Sequence, residues 1–402
     1  GQSASNAAGY SAPTCSSSGY SATNAATTTS TISCSGGSAT NYTFTTTATA
    51  TATVTQATLT ILAEAKSVLY GDVAPTYTFA ISGFVNSQTT ANAAGYVAPT
   101  CTSSYTRTTA AGSSVTITCS GGSATNYTFT YTSAALTITK RSTLTITAAS
   151  PSAITYGAST PANSISTTGL APNDVIASVT YTYAGSGSTT YAASTTAPTL
   201  PGTYSITPSA AVFTTGSLDN YTTVTYTAGS FTINAANLVI TANSPSAITY
   251  GDSTPSNGYS TTGLNAADTI TGITYTYAGT GSTVYAASTT APTAAGTYSI
   301  TPSAVTFSDT NAAGRYTSIS YTAGSFTINK KALTVSPSNT NVTYGTASPT
   351  FTPTVTGFIA GQSASNAAGY SAPTCSSSGY SATNAATTTS TISCSGGSAT
   401  NY

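Results

Sequence analysis

The chain has 402 residues, with seven basic and seven acidic side chains, formal net charge zero, and no His, Trp or Met. Charged residues make up 3% of it, against about 25% in an ordinary globular protein. Without His there is no Ser-His-Asp or Cys-His catalysis, no His-ligated metal and no imidazole switch, and seven scattered cations cannot build the basic stripe that nucleic acid demands.

Tyr, Phe and β-branched residues are plentiful, which disordered polar tracts lack. No run approaches 18 consecutive apolar residues, so no membrane insertion is expected in this segment. The N-terminus also lacks the basic and apolar pattern of a signal peptide.

From the N-terminus, residues 1–56 carry Cys15 after Ala-Pro-Thr and Cys34 before Ser-Gly-Gly. Asn41-Tyr-Thr and a Thr/Ala tract from Thr46 to Thr55 follow; the tract is read as a weakly specified edge strand matching Tyr131–Thr139. Residues 57–140 repeat the Cys frames at Cys101 and Cys119. In 141–234 the runs from Leu144, Val179, Tyr204, Val224 and Phe231 place apolar side chains every second residue, the period of a strand with one wet face. Gly, Pro, Asn and Ser clusters separate them, as at Gly185–Ser188 and Pro201-Gly202. Residues 235–329 follow the same plan, and 330–402 end on the third Cys pair, Cys375 and Cys394. Helical periodicity is nowhere sustained.

Two repeats organise this order. Residues 1–42 recur unchanged as 361–402, a period of 360. Within it, Tyr-Gly followed by Pro occurs at Tyr70, Tyr156, Tyr250 and Tyr344, and thirteen residues after each Tyr comes Gly with a bulky apolar residue: Gly83-Phe84, Gly169-Leu170, Gly263-Leu264 and Gly357-Phe358. The expected organisation is the C-terminal part of a split repeat at 1–56, whole repeats at 57–140, 141–234 and 235–329, and the N-terminal part of a split repeat at 330–402. The chain reads as a window on a longer tandem array. About seven short strands in about 90 residues predict an all-β fold, a tandem array of immunoglobulin-like β-sandwich domains.

The Tyr-Gly-x-x-x-Pro opening, the Gly-Phe/Leu step, Gly-Thr-Tyr-Ser-Ile-Thr at Gly202 and Gly296, and Asn-Tyr-Thr-Phe-Thr at Asn41 and Asn126 resemble MBG (YDG-type) repeats. These are bacterial immunoglobulin-like modules found in tandem in large surface and adhesin-like proteins. The resemblance implies extracellular display and a stalk or adhesive role, and it supplies no catalytic residues. One departure is Gly314-Arg315-Tyr316, where Arg replaces the Asn of Asn220-Tyr221.

The Cys residues fall into pairs Cys15/Cys34, Cys101/Cys119 and Cys375/Cys394. Two Cys without His argue against zinc, and the spacing is not that of a redox pair, so each pair is read as a disulfide across a long β-hairpin in an oxidising, extracytoplasmic setting. The Asn-x-Thr positions Asn41, Asn126, Asn220 and Asn341 are read as turns rather than glycosylation sites. Glu64, Lys66 and Asp72 are read as a solvated edge rather than an isopeptide crosslink. Asp174, Asp219, Asp252, Asp268 and Asp309 are read as turn residues rather than Ca²⁺ ligands, being isolated in sequence. Of Tyr181/Tyr183 and Tyr275/Tyr277, one of each pair is expected in the core.

No cofactor, metal or enzymatic activity is expected. The near absence of charge favours an extracellular structural filament that self-associates end to end and laterally, because neutral hydroxyl-rich strands meet without desolvating ions. The alternative is a rigid spacer stalk of a monomeric surface adhesin.

Overall fold

In the computed structural model every residue is described except Asn24 and Ala386. Between Arg141 and Asn234 seven strands form two facing sheets. Arg141–Ala148 lies in the middle of a three-stranded sheet, antiparallel to Ile165–Thr168 and parallel to Tyr221–Thr227. The other sheet runs in the order Ile154–Thr155, Gly229–Asn234, Gly202–Thr215, Val175–Gly185. The same two-sheet order recurs with Ala236–Ala242 and Ala57–Ala63 as the central strands of their three-stranded sheets. Among the described residues there is no α-helix, and none therefore long and apolar enough to cross a membrane.

The alternation in sequence is the alternation in burial. Leu144 and Ile146 are fully buried while Thr143 on the same strand faces out, and Leu238 and Ile240 repeat the pattern. Each fully buried Leu or Ile contributes about 1.5–3 kcal/mol. All five runs expected in 141–234 are strands, and Tyr183 and Tyr277 are each the buried member of their pair. The cores are not closed within one sandwich. Tyr70, Ile138 and Leu144 belong to one buried cluster, and Ile206, Phe231 and Leu238 to the next, so apolar contact runs through the junctions.

Two expectations need adjusting. The tract from Thr46 to Thr55 is a strand only over Ala50–Thr53, and residues 43–49 lie outside any strand. Its register on Thr29–Ser35, Ala50 opposite Ile32, matches Ala134 opposite Ile117. That counterpart, Ala134–Thr139, is an interior strand, flanked by Ser114–Ser120 and, in parallel, by Lys66–Leu69. Ala50–Thr53 is an edge because no strand equivalent to Lys66–Leu69 lies beside it. Glu64, Lys66 and Asp72 also separate: Lys66 pairs with Glu64 at 3.0 Å, whereas Asp72 pairs with Arg141 at 2.8 Å.

Candidate functional site at the joints between units

Three Cys pairs sit directly across from one another on adjacent antiparallel strands, Cys15 opposite Cys34, Cys101 opposite Cys119 and Cys375 opposite Cys394, and each pair is bonded. They staple the hairpins of the shorter units. The chemistry that relates one unit to the next lies elsewhere, at the Tyr-Gly step.

Tyr70 follows the short strand Lys66–Leu69 and leaves its own sandwich. Gly71 turns the chain at φ +83°, a left-handed conformation that Gly adopts without a Cβ penalty. A Cβ there would come within 2.8 Å of Cβ of Ala171 in the next unit. The Tyr70 side chain, 1% exposed, donates its hydroxyl to Oδ1 of Asp174 at 2.6 Å. Tyr221 donates to Oδ2 of the same carboxylate at 2.6 Å and accepts from the Ala171 amide at 2.9 Å. The two rings meet edge to face, centroids 6.4 Å apart. Arg141 closes the rim, donating to the Tyr70 carbonyl and to Asp72, each at 2.8 Å. Burial, followed by the Asp174 hydrogen bond, pushes the Tyr221 hydroxyl up to about 12, and the same causes raise that of Tyr70. A buried carboxylate is tolerated here because both oxygens receive charge-assisted hydrogen bonds.

The next joint keeps the plan and changes one part. Tyr156 meets Tyr316 edge to face at 6.0 Å, and Tyr316 donates to Asp268 at 2.6 Å. Arg315, delivered by the 3₁₀ turn Ala312–Arg315, pairs with Asp268 and Asp309 and reaches the Tyr156 hydroxyl at 3.5 Å. The Arg that departs from the Asn-Tyr pattern is therefore a joint residue. Burial and Asp268 push the Tyr316 hydroxyl up to about 12.

At the third joint Tyr250 meets Tyr402 edge to face at 5.3 Å. Gln362 replaces the carboxylate, donating through Nε2 to Tyr250 at 2.9 Å and accepting from Tyr402 at 2.5 Å. The acceptor lies five residues after the Gly of the Gly-Phe/Leu step in every unit: Gln88, Asp174, Asp268 and Gln362. Sequence reading placed Asp174 and Asp268 in loops and passed over both Gln. The fixed offset was the available signal.

The Asn before the second Tyr adds a further tie. Asn126 accepts from the Ala26 amide at 2.8 Å, Asn220 from Ala111 at 2.9 Å, and Asn401 from Ala295 at 2.9 Å, each across a junction. Asn220 is 5% exposed, which leaves no room for a glycan. Among the other Asp residues, Asp219 takes part in the 3₁₀ turn at Leu218–Asn220, and Asp252 accepts from the Thr249 amide at 2.9 Å. Among the described residues no group of three or more His, Cys, Asp or Glu could hold a metal ion.

The family model for the MBG domain (YGX type) matches residues 59–137, 144–232, 238–327 and 333–402. No curated protein matches the sequence. Among solved structures, the chain is similar to the N-terminal four Ig domains of Dscam1 isoform 1.9, at 10% identity over 75% of this chain and 80% of that one, TM-score 0.17. It is also similar to three N-terminal domains of the bacteriophage RB49 Highly Immunogenic Outer Capsid protein (Hoc), at 12% identity over 79% of this chain and 100% of that one, TM-score 0.18.

Proposed function

From the premise that the chain belongs to the MBG domain (YGX type) family, we propose that it is a structural segment of a bacterial extracellular protein, a stiff array built into a surface filament. The carrying observation is the joint: each of Tyr70, Tyr156 and Tyr250 meets a Tyr of the following unit edge to face and shares a polar partner with it. A hinge between such units must break a buried hydrogen bond and expose aromatic surface, so successive sandwiches hold a fixed angle. A fixed angle repeated every 360 residues presents the same faces at regular intervals, the condition for ordered assembly.

The distribution of charge favours the filament over a lone stalk. Lys66 pairs with Glu64, Arg141 with Asp72, and Arg315 with Asp268 and Asp309, while Asp174 is buried under two tyrosines. The few charges are largely used up within and between units. What remains outside is Thr, Ser and Ala on strand faces, which pack laterally without stripping ions of water. Disulfides in this protein accord with an oxidising location.

Electron microscopy of array-length material at high dilution tests both parts. Straight rods with beads at about 33 Å or slightly more, the span of a ten-residue strand, are expected, associating into uniform fibres. Straight rods that stay single would leave the spacer stalk. Strings bending freely between beads would refute the stiff joint.

A further inference from the structure

The 42 residues present twice make an internal control. At 361–402 they are covered: Phe358 packs against Tyr370 and Tyr402 at 5.9 and 5.3 Å, and Ala367 and Ala399 are buried. In the complete unit 57–140 Phe84 does the same on Tyr96 and Tyr127, at 6.2 and 5.5 Å. At 1–42 the identical residues are bare. Tyr10 and Tyr42 are 38% and 53% exposed and line an open groove of about 290 Å³ with Gln2, Ala7 and Phe44.

The backbone is incomplete in the matching places. Ala50–Thr53 lacks the parallel neighbour that Lys66–Leu69 supplies to Ala134–Thr139, and residues 340–343, just before Tyr344, are its sequence counterpart and lie in no strand. Thr334–Pro337 pairs with Pro353–Thr356 but lacks the parallel neighbour that Tyr127–Thr132 supplies to Ala57–Ala63. The counterpart of Tyr127–Thr132 is 42–47, of which 43–47 lie in no strand.

The joint ahead of residues 57–140 is likewise half made. Tyr127 donates to Gln88 Oε1 at 2.7 Å, but no tyrosine meets Gln88 Nε2, and a cavity of about 180 Å³ opens between Ala26, Val54, Val85, Gln88 and Tyr127. Tyr344, the one Tyr of the Tyr-Gly set without a socket among the described residues, is 69% exposed, and a Cβ on Gly345 would meet nothing within 4 Å.

We propose that residues 330–360 of one copy of this chain complete the half-unit 1–56 of a second copy and place Tyr344 in its Gln88 socket, joining copies head to tail. Phe358 then lies on Tyr10 and Tyr42, Leu333 beside Phe44, and 340–343 along Ala50–Thr53. Gln2 and Tyr42 take over from Gln362 and Tyr402 as the partners of Tyr250. The exchange surrenders only contacts that the identical residues 1–42 restore, and it gains two parallel strand pairings and a filled joint. This is the balance that makes strand exchange between identical chains inexpensive. The same contacts form in cis where super-repeats are continuous in one chain. The inference rests on the filament reading and supplies its end-to-end contact.

The test is sedimentation velocity of the 402-residue chain over a concentration series, with two variants. Phe44→Asp disables the acceptor end and Leu333→Asp the donor end. The wild type is expected to pass from monomer to linear oligomers. Each variant alone should remain monomeric, and an equimolar mixture should stop at dimers, which also shows that each variant keeps one working end. A wild type that stays monomeric throughout, variants that oligomerise as the wild type does, or a mixture that stays monomeric would each overturn the proposal. The frictional ratio of the monomer reports the stiff array separately: an extended monomer that does not associate sinks this contact and leaves the rod.

Discussion

Replacing Tyr70 by Phe removes one hydroxyl and leaves the buried ring in place. That hydroxyl donates to a carboxylate oxygen at 2.6 Å in a site where Asp174 is 5% exposed, so no water can take over the bond. A hydrogen bond to a charged group is worth about 1.5–3 kcal/mol, and removing the donor also leaves Oδ1 unsatisfied, so about 2 kcal/mol is expected. That corresponds to about a 30-fold increase in the open population of the joint. Tyr344→Phe is the control within the same chain, because the Tyr344 side chain is 69% exposed; below association its effect should fall within about 0.5 kcal/mol. Hydrogen exchange on the whole chain reads the difference. The amides of Ala171, bonded to Tyr221, and of Asp174, bonded to Ala171, should exchange about 30-fold faster in Tyr70→Phe and be unchanged in Tyr344→Phe. Equal protection in both variants would mean that the Tyr70–Asp174 bond does not hold the joint, and the argument for a stiff array would lose its basis.

Gly157→Ala forces an L-residue to φ +89° and sets a Cβ 2.5 Å from Nδ2 of Asn265, whereas Gly345→Ala at φ +87° meets nothing. The first should cost more than the second, which carries only the backbone strain of about 1–2 kcal/mol; equal losses in thermal unfolding would show that the Tyr-Gly turn is not a contact. Replacing Cys101 and Cys119 by Ser should lower stability by about 3 kcal/mol in denaturant unfolding, the loop-closure value for an 18-residue separation, and leave the units 141–234 and 235–329 unaffected. Tyr221 and Tyr316 have hydroxyls raised from 10.0 to about 12 in the folded chain, so the neutral form is the one the joints favour. Their contribution is complete below pH 10 and is lost as pH rises from there through about 12. Tyrosinate absorbance should therefore appear late and together with joint opening, and titration of these tyrosines near 10 without structural change would contradict the assignment.

Much of the architecture is local and could be read directly. Leu144-Thr-Ile-Thr147 alternates, and a sequence that alternates has one face to bury, so strands and a sandwich follow whatever surrounds them. The Tyr-Gly and Gly-Phe/Leu steps repeat at fixed offsets because each unit makes the same turn. The Cys pairs lie in matching frames, within one hairpin. Arg315 registered only as a departure from pattern, since nothing local says that it faces two carboxylates and a tyrosine from the preceding unit.

What the sequence by itself determined is thus the repeat, the strand content and the hairpin disulfides, all set by periodicity and spacing within about 90 residues. Only the tertiary structure decided what Tyr70, Asp174, Tyr221 and Gln88 are for. Tyr70 and Asp174 stand 104 residues apart and belong to different sandwiches. Taken alone, each looks like an ordinary aromatic strand end or loop carboxylate. They become a joint because one unit's turn projects its tyrosine into the only place where the next unit can bury it and satisfy its hydroxyl.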